Sequence, residues 1–143
     1  MYSTESRQLN RAARSSPRGA YFFSPCIARA NPPFNYNPWG QDKLMDDVRW
    51  KYGIPPASNA NFAWIQHMIH HLAPHGKIGL VLANGALSSP SGGEGEIRKQ
   101  FIEDDLIEGI IAMPPQLFYS VTIPATLWFI SKGQETERQD SLY

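Results

Sequence analysis

The sequence predicts an α/β layered fold with a mostly parallel sheet, on three observations. Ile65, Met68, Ile69 and Leu72 recur at i, i+3, i+4 and i+7, the apolar stripe of an amphipathic helix. The run KIGLVLA at 77–83 is almost continuously apolar, as a strand buried on both faces of a parallel sheet is, and 106–113 and 126–131 are also strand-like. Patterns then alternate as strand, helix, strand, helix, strand, strand, the order of a layered α/β unit.

In chain order, residues 1–25 are an Arg- and Ser-rich lead-in without apolar periodicity, expected to be weakly ordered; a transit peptide is the other reading. Residues 26–30 form a strand that runs into Asn31. A long loop follows over 35–58, punctuated by Asn, Pro and Gly. Its acids Asp42, Asp46 and Asp47 are expected on a solvated face. Its aromatics Tyr36, Trp39, Trp50 and Tyr52 either anchor the loop or meet a partner. Asn59 is a good N-cap for a helix over 61–72, which Pro74 and Gly76 end. After the strand at 77–83, a Ser/Gly/Pro loop leads to a second helix over 95–104, with Ile97, Phe101 and Ile102 facing inward. A buried strand at 106–113, a proline- and aromatic-rich loop at 114–124, a strand at 126–131 and a polar tail at 133–143 complete the chain. Pro32-Pro33, Pro55-Pro56 and Pro114-Pro115 each stand beside an element, as rigid loop devices should.

The 143 residues suit one domain, large enough to bury a core without disulfides or metals. With 42% apolar and 18% charged residues the chain reads as globular, and 13 basic against 13 acidic residues advertise no global partner. The balance hides an asymmetry: residues 1–30 carry five arginines against one acid. A single Cys26 excludes an internal disulfide framework and fits a reducing compartment; it is expected to be a buried structural residue. No apolar run approaches the roughly 18 residues that span a bilayer.

The chemistry concentrates at Asn31-Pro32-Pro33-Phe34, directly after a strand. Ligands of open α/β sheets bind outside the carboxyl ends of strands. Asn31 offers a side-chain carbonyl and Pro32 a backbone carbonyl, while the two prolines stiffen the turn and remove competing donors. Two converging acceptors suit a primary amino group on a planar ring. Each accepts one N–H, which draws the nitrogen out of planarity and frees its lone pair. Phe34 supplies a flat face, and base–aromatic stacking is worth about 1–3 kcal/mol.

This turn resembles the catalytic motif of S-adenosylmethionine-dependent amino-group methyltransferases, above all those that methylate adenine N6 in DNA. The flanking runs DVRWKYGIPP at 47–56, NANFAW at 59–64, HHLAP at 70–74, LANG at 82–85, GEGEIRK at 93–99, LFY at 117–119 and IPA at 123–125 resemble, in this order, the modification (HsdM-type) subunit of type I restriction–modification systems. The resemblance covers about residues 30–132 and departs at the tail. It implies a partial Rossmann-like methyltransferase fold with residues 26–132 as a partial catalytic domain.

The resemblance also implies a mechanism. The target adenine flips out of the duplex, its amino group lies between the Asn31 oxygen and the Pro32 carbonyl, and Phe34 packs on the ring. An aromatic from Phe118-Tyr119 packs opposite, and the nitrogen attacks the cofactor methyl without a covalent enzyme intermediate. The implied partners are double-stranded DNA, a specificity subunit, a restriction subunit and a second modification subunit, in a bacterial or archaeal cytoplasm and away from membrane. The glycine-rich turn and ribose-binding acid of such enzymes lie upstream of the motif. Residues 1–30 hold no such turn, so the cofactor-binding residues are unassigned, the first half of the fold is expected to be absent and the chain to be a fragment. Arg29 stands where an apolar strand residue is expected. An inactive remnant or interaction module, and a methyltransferase acting on another amino group such as protein glutamine, are the competing functions.

Other constellations read as structural. His67, His70, His71 and His75 invite zinc, but His67 and His71 lie opposite the apolar stripe, where a solvated face is expected, and no H-E-x-x-H occurs. No metal is expected. Gly92-Gly93-Glu94-Gly95 looks like a phosphate loop, but Glu94 and Glu96 put negative charge at the helix start. It is expected to be a helix entry with a flexible loop. Cys26 after Pro25 is like the nucleophile pair of cytosine-C5 methyltransferases, a reading that the amino-group motif five residues later opposes.

Overall fold

The structure, a computed structural model, describes residues 25–116 and 122–133. Strand β1 spans Ile27–Ala30, helix α1 Asn61–His71, β2 Lys77–Ala83, α2 Glu94–Glu103, β3 Ile107–Ala112 and β4 Ala125–Ser131. The predicted order of elements is therefore observed, with bounds shifted by a residue or two. Leu72 leaves α1 for extended backbone at ψ 138°, and Pro74 follows. The N-cap is Ala60, without a side-chain cap, and not Asn59 as predicted; Asn59 stands one residue earlier, where its Oδ1 accepts the Asn61 N–H at 3.0 Å.

The four strands stand in the order β1-β2-β4-β3. β1 runs parallel to β2, while β4 lies antiparallel to both β2 and β3. β1, β2 and β3 thus point one way and β4 the other, so the sheet is mixed in its pairing and not mostly parallel. The insertion of β4 between β2 and β3 is the reason: it replaces one parallel contact by two antiparallel ones.

One face of the sheet carries the core. Ile78, Leu80 and Leu82 of β2 and Trp128 and Ile130 of β4 meet Phe62, Ile65 and Ile69 of α1 and Ile97 and Phe101 of α2. Phe62 makes a stacked contact with Phe101 and an edge contact with Trp128. Trp128 donates its indole N–H to Thr126 Oγ1, which donates to the Leu82 carbonyl, so the buried polar atoms of β4 are satisfied. Ile102 is 68% exposed, against expectation, because it follows Phe101 by one residue and so points about 100° away on the helix.

The strand predicted as buried at 106–113 is instead an edge strand with exposed residues. Leu106 is buried, but Ile110 and Ile111 are exposed. A register irregularity between Ile107 and Gly109 lets two residues oppose one on β4, as a bulge does at a sheet edge. The apolar run records strand propensity here, not burial on two faces.

The 35–58 loop is anchored. Trp39 and Trp50 meet edge to face with Leu44, Ala60 and Ala63 in a second small core. Their indole N–H groups donate to the carbonyls of Pro56 and Leu44. Tyr52 joins the main core. No helix among the described residues is long and apolar enough to cross a membrane.

Candidate functional site

β1 and β2 are parallel, so their carboxyl ends share one edge of the sheet. β4 starts at that edge, since Ala125 is in register with Ala83, and β3 ends there, since Ala112 is in register with Thr126. Hydrogen bonds seal it: Asn84 N–H donates to the Pro124 carbonyl at 2.8 Å and Met113 N–H to the Ala125 carbonyl at 2.9 Å. Asn31-Pro32-Pro33-Phe34, Asn84-Gly85, Met113-Pro114-Pro115 and Ile123-Pro124 therefore border one edge. Phe118 and Tyr119, expected on the loop between two of these segments, lie outside the described residues, as do the lead-in through residue 24 and the tail from 134.

In the 31–34 turn, Asn31 is exposed, Pro32 is buried, and Pro33 and Phe34 are half-buried. No described residue engages the Asn31 amide. The turn holds no titratable side chain, so what it offers is acceptors and a flat ring, not acid–base chemistry. Arg29, one turn of the pleat earlier, is exposed, with Gly79 beside its stem. Cys26 is exposed, not buried as expected, because it precedes β1 at the opposite end from the turn.

Four polar residues whose convergence the sequence did not reveal, Asn35, Asn59, Asn61 and Glu94, bind this turn to the helices. Asn35, at φ +52°, donates its backbone N–H to Asn61 Oδ1 at 3.1 Å and accepts from Asn61 Nδ2 at 2.9 Å. Asn59 Nδ2 donates to Glu94 Oε1 at 2.6 Å. Glu94 is only 1% exposed, so it does not present charge at an open helix start. Gly92, at φ +61°, lies against Pro56, where a Cβ would collide with the proline ring. The glycine loop packs on the chain instead of opening a phosphate cradle. An Asn opening an apolar helix and an acid opening the next were the available signals; their convergence was not legible.

Asp47 and His67 depart from their expected solvated faces. Arg49 is buried, and its guanidinium holds Asp47 with two bonds of 2.7 Å and donates to His67 Nδ1 at 2.8 Å. Arginine can only donate, so His67 Nδ1 is an acceptor and the neutral ring carries its proton on Nε2. Burial first, then the positive neighbours His71 and Arg49, push the His67 pKa down to about 4. The hydrogen bonds from Arg49 hold the Asp47 carboxyl below its ordinary range. The cluster fastens the long loop to the back of α1. Among the described residues no group of three or more His, Cys, Asp or Glu is placed to hold a metal ion.

Residues 26–143 match the N-6 DNA Methylase family, and the chain belongs to it. It is 55% identical over 106 residues to the type I restriction enzyme HindI methylase subunit of Haemophilus influenzae, an alignment that takes in 74% of this chain and 24% of that protein. It is 53% identical over 109 residues to the MjaIX methylase subunit of Methanocaldococcus jannaschii, covering 72% of this chain and 19% of that one. The crystal structure of a type I restriction–modification methyltransferase subunit from Streptococcus thermophilus superposes with a TM-score of 0.73 at 27% identity, over 84% of this chain and 26% of that one. The chain thus spans about a fifth to a quarter of the length of these relatives.

Proposed function

We propose that this member of the N-6 DNA methylase family forms the amino-group-handling part of an adenine-N6 DNA methyltransferase, the modification subunit of a type I restriction–modification complex, with residues 26–132 as its partial catalytic domain. The observation that carries the reading is the 31–34 turn at the carboxyl end of β1, with an exposed Asn31, a buried Pro32 and a half-buried Phe34. Asn31 Oδ1 and the Pro32 carbonyl each accept one N–H of the adenine amino group, and the nitrogen lone pair is freed for attack. Phe34 stacks on the base, and Phe118 or Tyr119 takes the other side; stacking of this kind is worth about 1–3 kcal/mol. Extruding the base costs a few kcal/mol. Orientation of the reacting nitrogen is what these residues contribute, and good orientation is worth about 7–11 kcal/mol.

S-adenosylmethionine supplies the electrophilic methyl group when bound. The described residues do not fit that cofactor by themselves: the glycine turn before α2 is closed on Pro56, and the acid after it is held by Asn59. No step is therefore assigned to them on the cofactor side. The partners of this reading are duplex DNA, the specificity and restriction subunits and a second modification subunit, in a bacterial or archaeal cytoplasm.

The test grafts residues 26–132 onto the matching segment of the full-length Haemophilus influenzae relative and follows methyl transfer to duplex DNA. Asn31→Ala is expected to abolish transfer with little change in DNA affinity, which phosphate contacts dominate. Asn31→Asp keeps an acceptor and is expected to retain partial activity. Phe34→Ala is expected to lower the rate by roughly one to two orders of magnitude, and Phe34→Tyr or Trp to preserve it. Full transfer by Asn31→Ala would overturn the assignment.

A further inference from the structure

The geometry points to Asn35 and Asn61 as a positioning pair that sets where the 31–34 turn stands over the sheet edge, an inference that rests on the reading of that turn given above. β1 holds the turn at one end only. Past Phe34 the chain enters the left-handed region at Asn35, which asparagine tolerates better than most residues, and then leaves for the long loop. Asn31 itself is exposed, so its placement depends on how the chain just past Phe34 is tied to the helices.

Asn61 makes that tie with two bonds. Its Oδ1 accepts the Asn35 backbone N–H at 3.1 Å, and its Nδ2 donates to Asn35 Oδ1 at 2.9 Å. The backbone donor settles the amide orientation, because an N–H can meet only the oxygen, which turns the nitrogen toward Asn35 Oδ1. One bond to the backbone and one to the side chain of Asn35 fix rotation as well as distance.

Asn61 is itself immobilised. It is buried at the first position of α1, and its N–H is held by Asn59 Oδ1 at 3.0 Å. Asn59 is held in turn by Glu94 at 2.6 Å, and Glu94 is buried at the first position of α2. A polar chain Glu94–Asn59–Asn61–Asn35 thus runs from two core helices to the turn. A further backbone tie nearby, Ala60 N–H to the Tyr36 carbonyl at 3.0 Å, extends the same seam. Neither Asn35 nor Asn61 belongs to the acceptor turn. Their effect is on the placement of Asn31, and a misplacement of about 1 Å can cost on the order of 100-fold in a reaction that depends on orientation.

The test has two arms. In the full 143-residue chain, backbone order at residues 31–35 is measured by nuclear magnetic resonance relaxation for the native protein, Asn61→Ala and Asn35→Gly. Glycine accepts the left-handed backbone and keeps its N–H, so Asn35→Gly removes only the side-chain bond, without adding strain. Both variants are expected to loosen residues 31–35 while α1 and the sheet stay ordered, and Asn35→Asp, which keeps an acceptor for Asn61 Nδ2, is expected to restore order. Unchanged order in Asn61→Ala and Asn35→Gly overturns the proposal.

In the grafted full-length methylase, both variants are expected to lower kcat by about 100-fold with KM for DNA unchanged. The double variant is expected to be no worse than either single one. Native kcat in both single variants, or losses that multiply in the double, overturns the positioning role. A graft with the native segment that transfers no methyl group, together with loosening in the first arm, overturns the functional reading and leaves the clamp standing.

Discussion

The two faces of the sheet are built from alternate residues of the same strands, yet they meet different surroundings. On one face Leu80, Leu82, Trp128 and Ile130 are closed under α1 and α2. On the other, Val81, Leu127 and Ile111 form one cross-strand row, and Phe129 stands between Gly79 and Gly109 in the next. Among the described residues no helix covers that second face, where Phe129 is 38% and Ile111 52% exposed. Local sequence can cover only one side of a sheet with two short helices. The two described helices close one side, and the other keeps a row of apolar side chains open.

The largest effect should come from the covered face. Phe62→Ala removes the ring shared by Phe101 and Trp128 and should cost about 3–5 kcal/mol in urea unfolding. A loss below that of the open-face substitutions would abolish the distinction between the faces.

Next is acid sensitivity on the far side of α1, which holds the covering layer in place. His67 titrates near 4 in the folded protein, against an ordinary value of 6.5. Between those values the unfolded chain binds a proton that the folded chain does not, so stability falls as pH drops from 6.5 to 4 and is flat with respect to this group above 6.5. The loss should be about 2–3 kcal/mol, seen as a falling urea midpoint. Asp47, whose carboxyl is held low, loses stability in the same direction as pH falls through its folded value. His67→Asn keeps an acceptor for Arg49 and should flatten the slope; an equally steep slope would assign the acid sensitivity elsewhere.

Asp47→Asn should cost about 2 kcal/mol, because the buried Arg49 keeps an oxygen partner but loses its counter-charge. Thermal unfolding checks it, and a neutral result would mean that Arg49 is solvated in solution.

The smallest effect on unfolding should come from Phe129→Ser on the open face, within about 0.5 kcal/mol. The same change should reduce self-association of the chain in sedimentation, since it removes the largest ring from an uncovered apolar surface. A loss of stability comparable with Phe62→Ala would show that the second face is packed after all.

Much of this was legible in the residues. Period 3.6 at Ile65, Met68, Ile69 and Leu72 reports a helix with one buried side, because it depends only on that segment's own geometry. The strand at 77–83, the prolines that end elements, and the placement of Asn31 at a strand end are local facts of the same kind; the burial of that strand on both faces, also expected, is not found, since Gly79 and Val81 lie half-buried on the open face. Tertiary structure decided what depends on neighbours distant in the chain. Period and composition do not say which strand pairs with which, so the insertion of β4 and the exposure of β3 had to come from packing. A histidine opposite an apolar stripe is solvated unless another segment arrives, and here Arg49 arrives, 18 residues away. An asparagine at a helix start caps or points outward unless a turn presents matching groups, and Asn35 presents them from 26 residues away. Elements and their ends follow from local propensity and periodicity; the sheet's order, its closed face and the clamp on the turn follow from contacts that form only once those elements are packed.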